Sequence, residues 1–251
     1  MDQTILHLWC AHPDDLLDED AAQACAGLLS EEEHTRWRAF RFELHRREYL
    51  ATHALVRTAL SHYGQLTPAA WRFTKNDHGK PAIEPDCGLR FNLSNSTGLV
   101  VCLISASAEV GVDVEPHARA ASIAEVARRM FSPQELAQLD ALGEAGRLQR
   151  CVHLWTLKEA YIKARGMGLS LPTNKFSLLF DGDVCSRLEI DASLGDDAGR
   201  WRFCLIDHAE HCIALMVEGG SAIQLTLQEA RPACAAPRAL ALADATWLPR
   251  R

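Results

Sequence analysis

Apolar residues recur along this chain in two rhythms. The first is strand-like: Trp71 to Thr74, Leu89 to Leu93, Leu99 to Ser105 and Val110 to Val114 form one group of short runs. Lys175 to Phe180, Arg187 to Ile190, Trp201 to Ile206 and Cys212 to Glu218 form a second group. Turn residues divide neighbours, as at Ser96-Thr97-Gly98 and Asp181-Gly182-Asp183. The second rhythm is helical. Tyr49, His53, Val56 and Leu60 recur at helical spacing and predict a core-facing stripe. Three helix starts carry serine at the cap and glutamate three residues on: Ser30 to Glu33, Ser122 to Glu125 and Ser132 to Glu135. The last adds Pro133 at the first helical position and Phe131 with Leu136 as a hydrophobic staple.

Each half thus reads as capped helices followed by short antiparallel strands, an α+β fold of two lobes with the break near Ala106 to Glu109. The expected segments are residues 1–108, 109–228 and a C-terminal extension at 229–251, where Arg231 to Pro237 resembles a linker. The extension is assigned no function. At 251 residues the chain can bury a substantial core. Hydrophobic content of 48% with 24% charged residues is that of an ordinary globular protein.

One strand-like run and one helix carry chemistry. In Gly111-Val112-Asp113-Val114-Glu115 the valines point one way and the carboxylates the other. Carboxylates two apart on a strand sit about 6.5–7 Å apart. At an effective dielectric of about 20 they repel by about 2.5 kcal/mol. Solvent absorbs that on an exposed edge; a half-buried strand needs a cation. On the helix Trp155 to Lys163, Glu159 and Lys163 share a face, either as an ordinary intrahelical pair or as site residues. Gly166, Gly168 and Pro172 then stop the helix and redirect the chain. Three carboxylates and two lysines suit a magnesium ion beside a phosphorylated ligand.

The two stretches, followed by Gly166-x-Gly168-Leu169, resemble the signature of the 4'-phosphopantetheinyl transferases, and in particular the long, monomeric Sfp type. The likeness spans roughly Leu29 to Glu218 and includes Gly79-Lys80-Pro81 and Asn92-Leu93-Ser94-Asn95-Ser96. The family form of the last segment has histidine where Asn95 stands, and that histidine helps hold the 3'-phosphate of coenzyme A. Asparagine can donate a hydrogen bond but carries no charge.

The resemblance implies two similar lobes, each of helices on a small antiparallel sheet, related by a pseudo-twofold axis with the coenzyme in the cleft between them. It implies magnesium-dependent transfer of 4'-phosphopantetheine from coenzyme A to a serine of an apo acyl or peptidyl carrier protein, leaving 3',5'-ADP. Asp113, Glu115 and Glu159 are the implied magnesium ligands, with Glu159 as general base. Lys158 and Lys163 would contact phosphate oxygens, with Lys163 balancing charge during transfer. Arg46, in an Arg-x-x-Tyr-Leu pattern, is the candidate 3'-phosphate contact. Lys80 and Pro81 would line the nucleotide pocket, and Ser94 and Asn95 complete that side. Asn92 reads as structural.

Charge and cysteines narrow the alternatives. The net charge of −7 argues against a nucleic-acid binder. It also means that an acidic carrier would need a local basic or apolar patch for docking. No apolar run is long enough to span a bilayer, and Met1 to Thr4 lacks a signal-like start. Nine cysteines without a Cys-x-x-Cys pair read as reduced thiols and point to the cytoplasm. His208-Ala209-Glu210-His211-Cys212 reads as a hairpin turn rather than a metal site. Two other classes compete: a metal nuclease, disfavoured by Pro116 and by lysines on a helix, and a family member that binds without turnover.

Overall fold

The central strand of the larger sheet is one that the two groups of runs omit. In the computed structural model, which describes residues 3–219, 222–241 and 247–248, β1 (Gln3–Ala11) lies between β5 (Leu99–Ser105) and β11 (Ala222–Glu229). Strand β4 (Arg90–Ser96) flanks β5, and β12 (Arg238–Leu240) flanks β11. The helices α1 (Glu19–Ala26), α2 (Glu31–Ala39) and α3 (Glu43–Tyr63) complete this lobe, α3 covering one sheet face through Leu50, Ala54 and Leu55 packed with Trp9, Val100 and Cys102.

A second sheet, β6 (Val110–Pro116), β10 (His211–Glu218) and β9 (Trp201–His208), stacks on the other face. Leu6, Leu8, Val101 and Leu103 of the first sheet meet Val112, Val114, Ile213 and Leu215 of the second in a shared apolar layer. Its far face carries α6 (Glu144–Arg165), with Leu157, Ala160 and Tyr161 against Ala214 and Met216. Helices α4 (Ala120–Met130) and α5 (Pro133–Asp140) and the hairpin of β7 (Phe176–Asp181) and β8 (Val184–Ile190) pack around α6. A small ribbon, β2 (Phe73–Lys75) with β3 (Pro81–Ile83), completes the set. The α+β expectation holds, and the layers run helix, sheet, sheet, helix.

Three local expectations change. The Ser30 and Ser132 capping boxes form as read, each serine accepting from its glutamate's N–H while the glutamate accepts from the serine's N–H. Ser122 caps nothing: α4 starts at Ala120, so the Ser122 hydroxyl is inside the helix and donates to the Arg119 carbonyl. Ala120 already belongs to the apolar stripe with Ile123 and Ala127, which extends the helix upstream.

Residues 222–228, expected inside the second lobe, belong to β11, which runs parallel to β1 from Gln3 opposite Ala222 to Cys10 opposite Glu229. The chain therefore returns to the first sheet. Part of the expected linker is core there, Ala233 being buried beside Ala230, and Arg231 bonds Asp15 at 2.6 Å. Leu248 bridges to Phe203 of the second lobe; residues 249–251 of the tail lie outside the described residues.

Candidate active site

Strand β6 is buried along almost its whole length, so its carboxylates are not a solvated face. Val112 and Val114 enter the layer between the sheets, and Gly111, Asp113 and Glu115 face α6. Gly111 sets the distance. A Cβ there would collide with the Ala160 carbonyl and with the Ala164 backbone, so only glycine lets the helix lie this close. The alanine of the Lys-Glu-Ala triplet is the other half of that contact.

The free edge of β6 is closed by side chains of β4 rather than by a ladder. Asn92 Oδ1 accepts the Val112 N–H at 2.9 Å and Ser94 Oγ accepts the Val114 N–H at 3.3 Å. Asn92 is thus a structural clasp between the lobes, and Ser94 joins the clasp to the chemistry. Ser94 Oγ donates to Asp113 Oδ1 at 2.8 Å, and Lys163 Nζ donates to Asp113 Oδ1 at 2.7 Å and to Ser94 Oγ at 2.8 Å. Asp113 is 4% exposed, and its second oxygen, Oδ2, is buried without a partner among the described residues. An unpaired buried carboxylate oxygen is costly unless something else binds it.

Glu115 is held by Trp155 Nε1 at 2.9 Å and by both oxygens on Arg119 Nη1 at 2.6 and 2.7 Å. Burial, and then the neighbouring Asp113 charge, raise the Glu115 carboxyl above its ordinary value, while Arg119 and Trp155 pull it back. Glu159 is raised by burial first, then by Asp113, with Glu115 adding and Lys163 and Arg119 opposing. No hydrogen bond among the described residues engages the Glu159 carboxylate. Three carboxylates that destabilise one another's charge around an unsatisfied oxygen form a donor set that fits a hard divalent cation.

A cavity of about 560 Å³ opens here, lined by Asp113, Glu115, Lys163, Ser94 and Asn95 together with Arg119. The structure therefore brings together five of the residues singled out in the sequence, with Glu159 within their field. Arg119 had no signal in the sequence, because its role depends on the turn at His117–Arg119 folding it back onto Glu115. The indole N–H of Trp155 also serves the site.

Other expected residues lie elsewhere. Lys80 and Pro81 line a second cavity of about 490 Å³ with Arg90 and Glu109. Lys80 Nζ pairs with Glu109 at 2.7 Å and donates to the Ala164 carbonyl at 2.9 Å, a cation at the C-terminal end of α6. Asn76 Nδ2 donates to the carbonyl of Gly166, whose φ of 63° ends the helix. Arg46 sits on α3, bonded to the Phe40 carbonyl and 3.2 Å from Glu43; its neighbours His45 and Glu48, not Arg46, line the acidic cavity.

Lys158 is a correction. Expected to contact phosphate, it is 2% exposed and spends its three donors on Glu135 at 2.8 Å and on the Thr173 and Phe176 carbonyls at 2.7 Å each. Five residues of helix turn the chain by about 140° beyond a full circle, so Lys158 and Lys163 cannot share a face. Among the described residues, Lys163 makes its ion pair with Asp113 rather than with Glu159.

Comparison with known proteins agrees with this geometry. Residues 109–216 match the model of the 4'-phosphopantetheinyl transferase superfamily. The 4'-phosphopantetheinyl transferase HetI of Nostoc sp. is 32% identical over 168 residues, covering 66% of this chain and 70% of that protein. The 4'-phosphopantetheinyl transferase Sfp of Bacillus subtilis is 32% identical over 174 residues, covering 68% and 76% respectively. A phosphopantetheinyl transferase of Thraustochytrium sp. is 32% identical over 225 residues, covering 84% and 75%.

Proposed function

Because this chain belongs to the 4'-phosphopantetheinyl transferase superfamily and is a transferase enzyme, we propose that it moves 4'-phosphopantetheine from coenzyme A to a serine of an apo acyl or peptidyl carrier protein, releasing 3',5'-ADP. The observation that carries this reading is the convergence of Asp113, Glu115 and Glu159 beside Lys163, with Asp113 Oδ2 unpaired among the described residues.

Asp113, Glu115 and Glu159 would hold magnesium, which supplies charge neutralisation at the pyrophosphate when bound. The protein's own groups do the rest. Glu159 is the general base of this reading and takes the proton of the carrier serine. The serine oxygen bonds to the phosphorus that bears the pantetheine arm as the bridging phosphate oxygen departs with 3',5'-ADP. Lys163 faces the cavity and balances the charge on the departing phosphate. Ser94 fixes Lys163 and Asp113 in one geometry, and Asn95 offers an uncharged donor to the nucleotide side. Arg46, Lys80 and Pro81 are proposed for that side only as the nucleotide draws them from their present partners. The enzyme acts as a monomer, and its nine free thiols fit a cytoplasmic home.

The test is incubation with coenzyme A, magnesium and a panel of apo-carriers, reading intact mass. Transfer adds about 340 Da, the pantetheine phosphate arm, to the carrier. A panel left at its starting mass would refute the reading.

A further inference from the structure

A second donor cluster lies one strand away from the acidic site. His153 on α6, Asp207 on β9 and Cys212 on β10 place one ring nitrogen, one carboxylate oxygen and one sulfur within 4.8 Å of each other. The register explains why. Asp207 and Cys212 are direct partners across the β9–β10 hairpin, so their side chains leave the same face, the face that α6 covers. His117, at the turn after β6, brings a fourth donor, with Nε2 3.5 Å from Asp207 Oδ1. His208 and His211, the histidines nearest to Cys212 in sequence, are not part of the cluster; His211 instead reaches the Thr97 carbonyl.

We propose that His153, Asp207 and Cys212, with His117 as the fourth donor, form a zinc site distinct from the acidic centre. Imidazole, thiolate and carboxylate together are a zinc donor set, whereas the all-oxygen set of Asp113, Glu115 and Glu159 suits magnesium. Tetrahedral zinc holds its ligands about 3.5 Å apart, so a contraction of about 1 Å brings His153, Asp207 and Cys212 to ligating distance, and His117, now paired with Asp207, turns in as the fourth. Asp207 is exposed and gives the ion a path in, while Cys212 is fully buried and closes the site from beneath. Binding converts the Cys212 thiol to the thiolate and releases its proton to solvent. In register Cys212 also opposes Glu115, so the zinc fastens the strand that carries the site acid.

The probe is Co2+ added to the chelator-stripped full chain, because a cobalt–thiolate bond gives an intense near-ultraviolet charge-transfer band that oxygen ligands do not. The expected result is one thiolate-bound cobalt per chain, displaced by Zn2+. Cys212→Ser removes the band, and Asp207→Asn and His153→Ala each weaken binding by about tenfold or more. Asp113→Asn leaves the band intact. Asp207 is on the surface, so its variant reads the site without disturbing the core. Absence of the band, its persistence in Cys212→Ser, unchanged affinity in Asp207→Asn, or its loss in a variant of the exposed Cys87 would each overturn the proposal.

Discussion

Helix α6 carries two lysine–carboxylate networks, and they are built to opposite standards. Around Lys158 every polar group is answered. Glu135 accepts from Lys158, from the Ser132 N–H at 2.7 Å and from the Leu178 N–H at 2.8 Å, and Ser177 bonds Ser132 at 2.7 Å. Around Lys163 the network is left open. Asp113 keeps one buried oxygen without a donor among the described residues, and Glu159 stands among like charges. A closed network repays its own burial and fixes the packing of α5 and β7 on α6; an open one waits for a ligand. The same residue types on one helix thus serve stability at one end and chemistry at the other.

Substitutions separate the two ends. Glu159→Ala should cut transfer to an apo-carrier by about 10²–10⁴-fold, the usual worth of a general base, with an unchanged circular dichroism spectrum. Retained turnover would move the base elsewhere. Lys158→Ala strands the buried Glu135 charge and should cost about 3–5 kcal/mol of stability, read by denaturant titration, while the folded fraction keeps its turnover. Lys163→Ala should cost about 10²-fold in kcat, with a smaller stability loss than Lys158→Ala because the Lys163 side chain is 29% exposed and solvent reaches the pair. If both lysine variants behaved alike, the distinction between closed and open networks would fail.

The open network also has a pH signature. Glu115 and Glu159 are raised above the ordinary 4.5, so between that value and their folded values the native state binds more protons than the unfolded chain. Metal-free stability from these two groups therefore falls as pH climbs through that window. Magnesium binds the deprotonated set, so its gain in melting temperature should be larger at about pH 8 than at about pH 5. An equal gain at both would remove these carboxylates from the metal. The smallest effect is expected from Asn95→His, which restores a chargeable donor on the cavity wall and should tighten coenzyme A binding by a few-fold at most, about 1 kcal/mol. Calorimetry reads it directly; no change would mean that Asn95 lies off the phosphate path.

Much of this was readable from local pattern. The eight strand runs each find a strand, though β2 begins two residues late and β8 three residues early. The acids of β6 and the Glu159 face of α6 were legible because period-2 and period-3.6 geometry fixes which side chains emerge together. Lys158 was misread for want of its partner: Glu135 looked complete as a capping-box residue, and nothing in its local sequence shows that its carboxylate also serves α6. Arg119 was missed for the same reason. Strand β1 went unread because it is buried over its second half on both sides, so Leu6 to Ala11 lacks the alternation of a one-sided strand. Its pairing with β11 joins residues far apart in the chain, a contact that no local pattern encodes.

That pairing has a consequence for how the molecule comes into being. Strand β1 finds its parallel neighbour β11 only after some two hundred further residues have been made. Until then one long hydrogen-bonding edge of Gln3–Ala11 stays unzipped and sticky. A nascent chain halted after Glu218 would hold all the acids of the reaction centre yet lack the seam between β1 and β11.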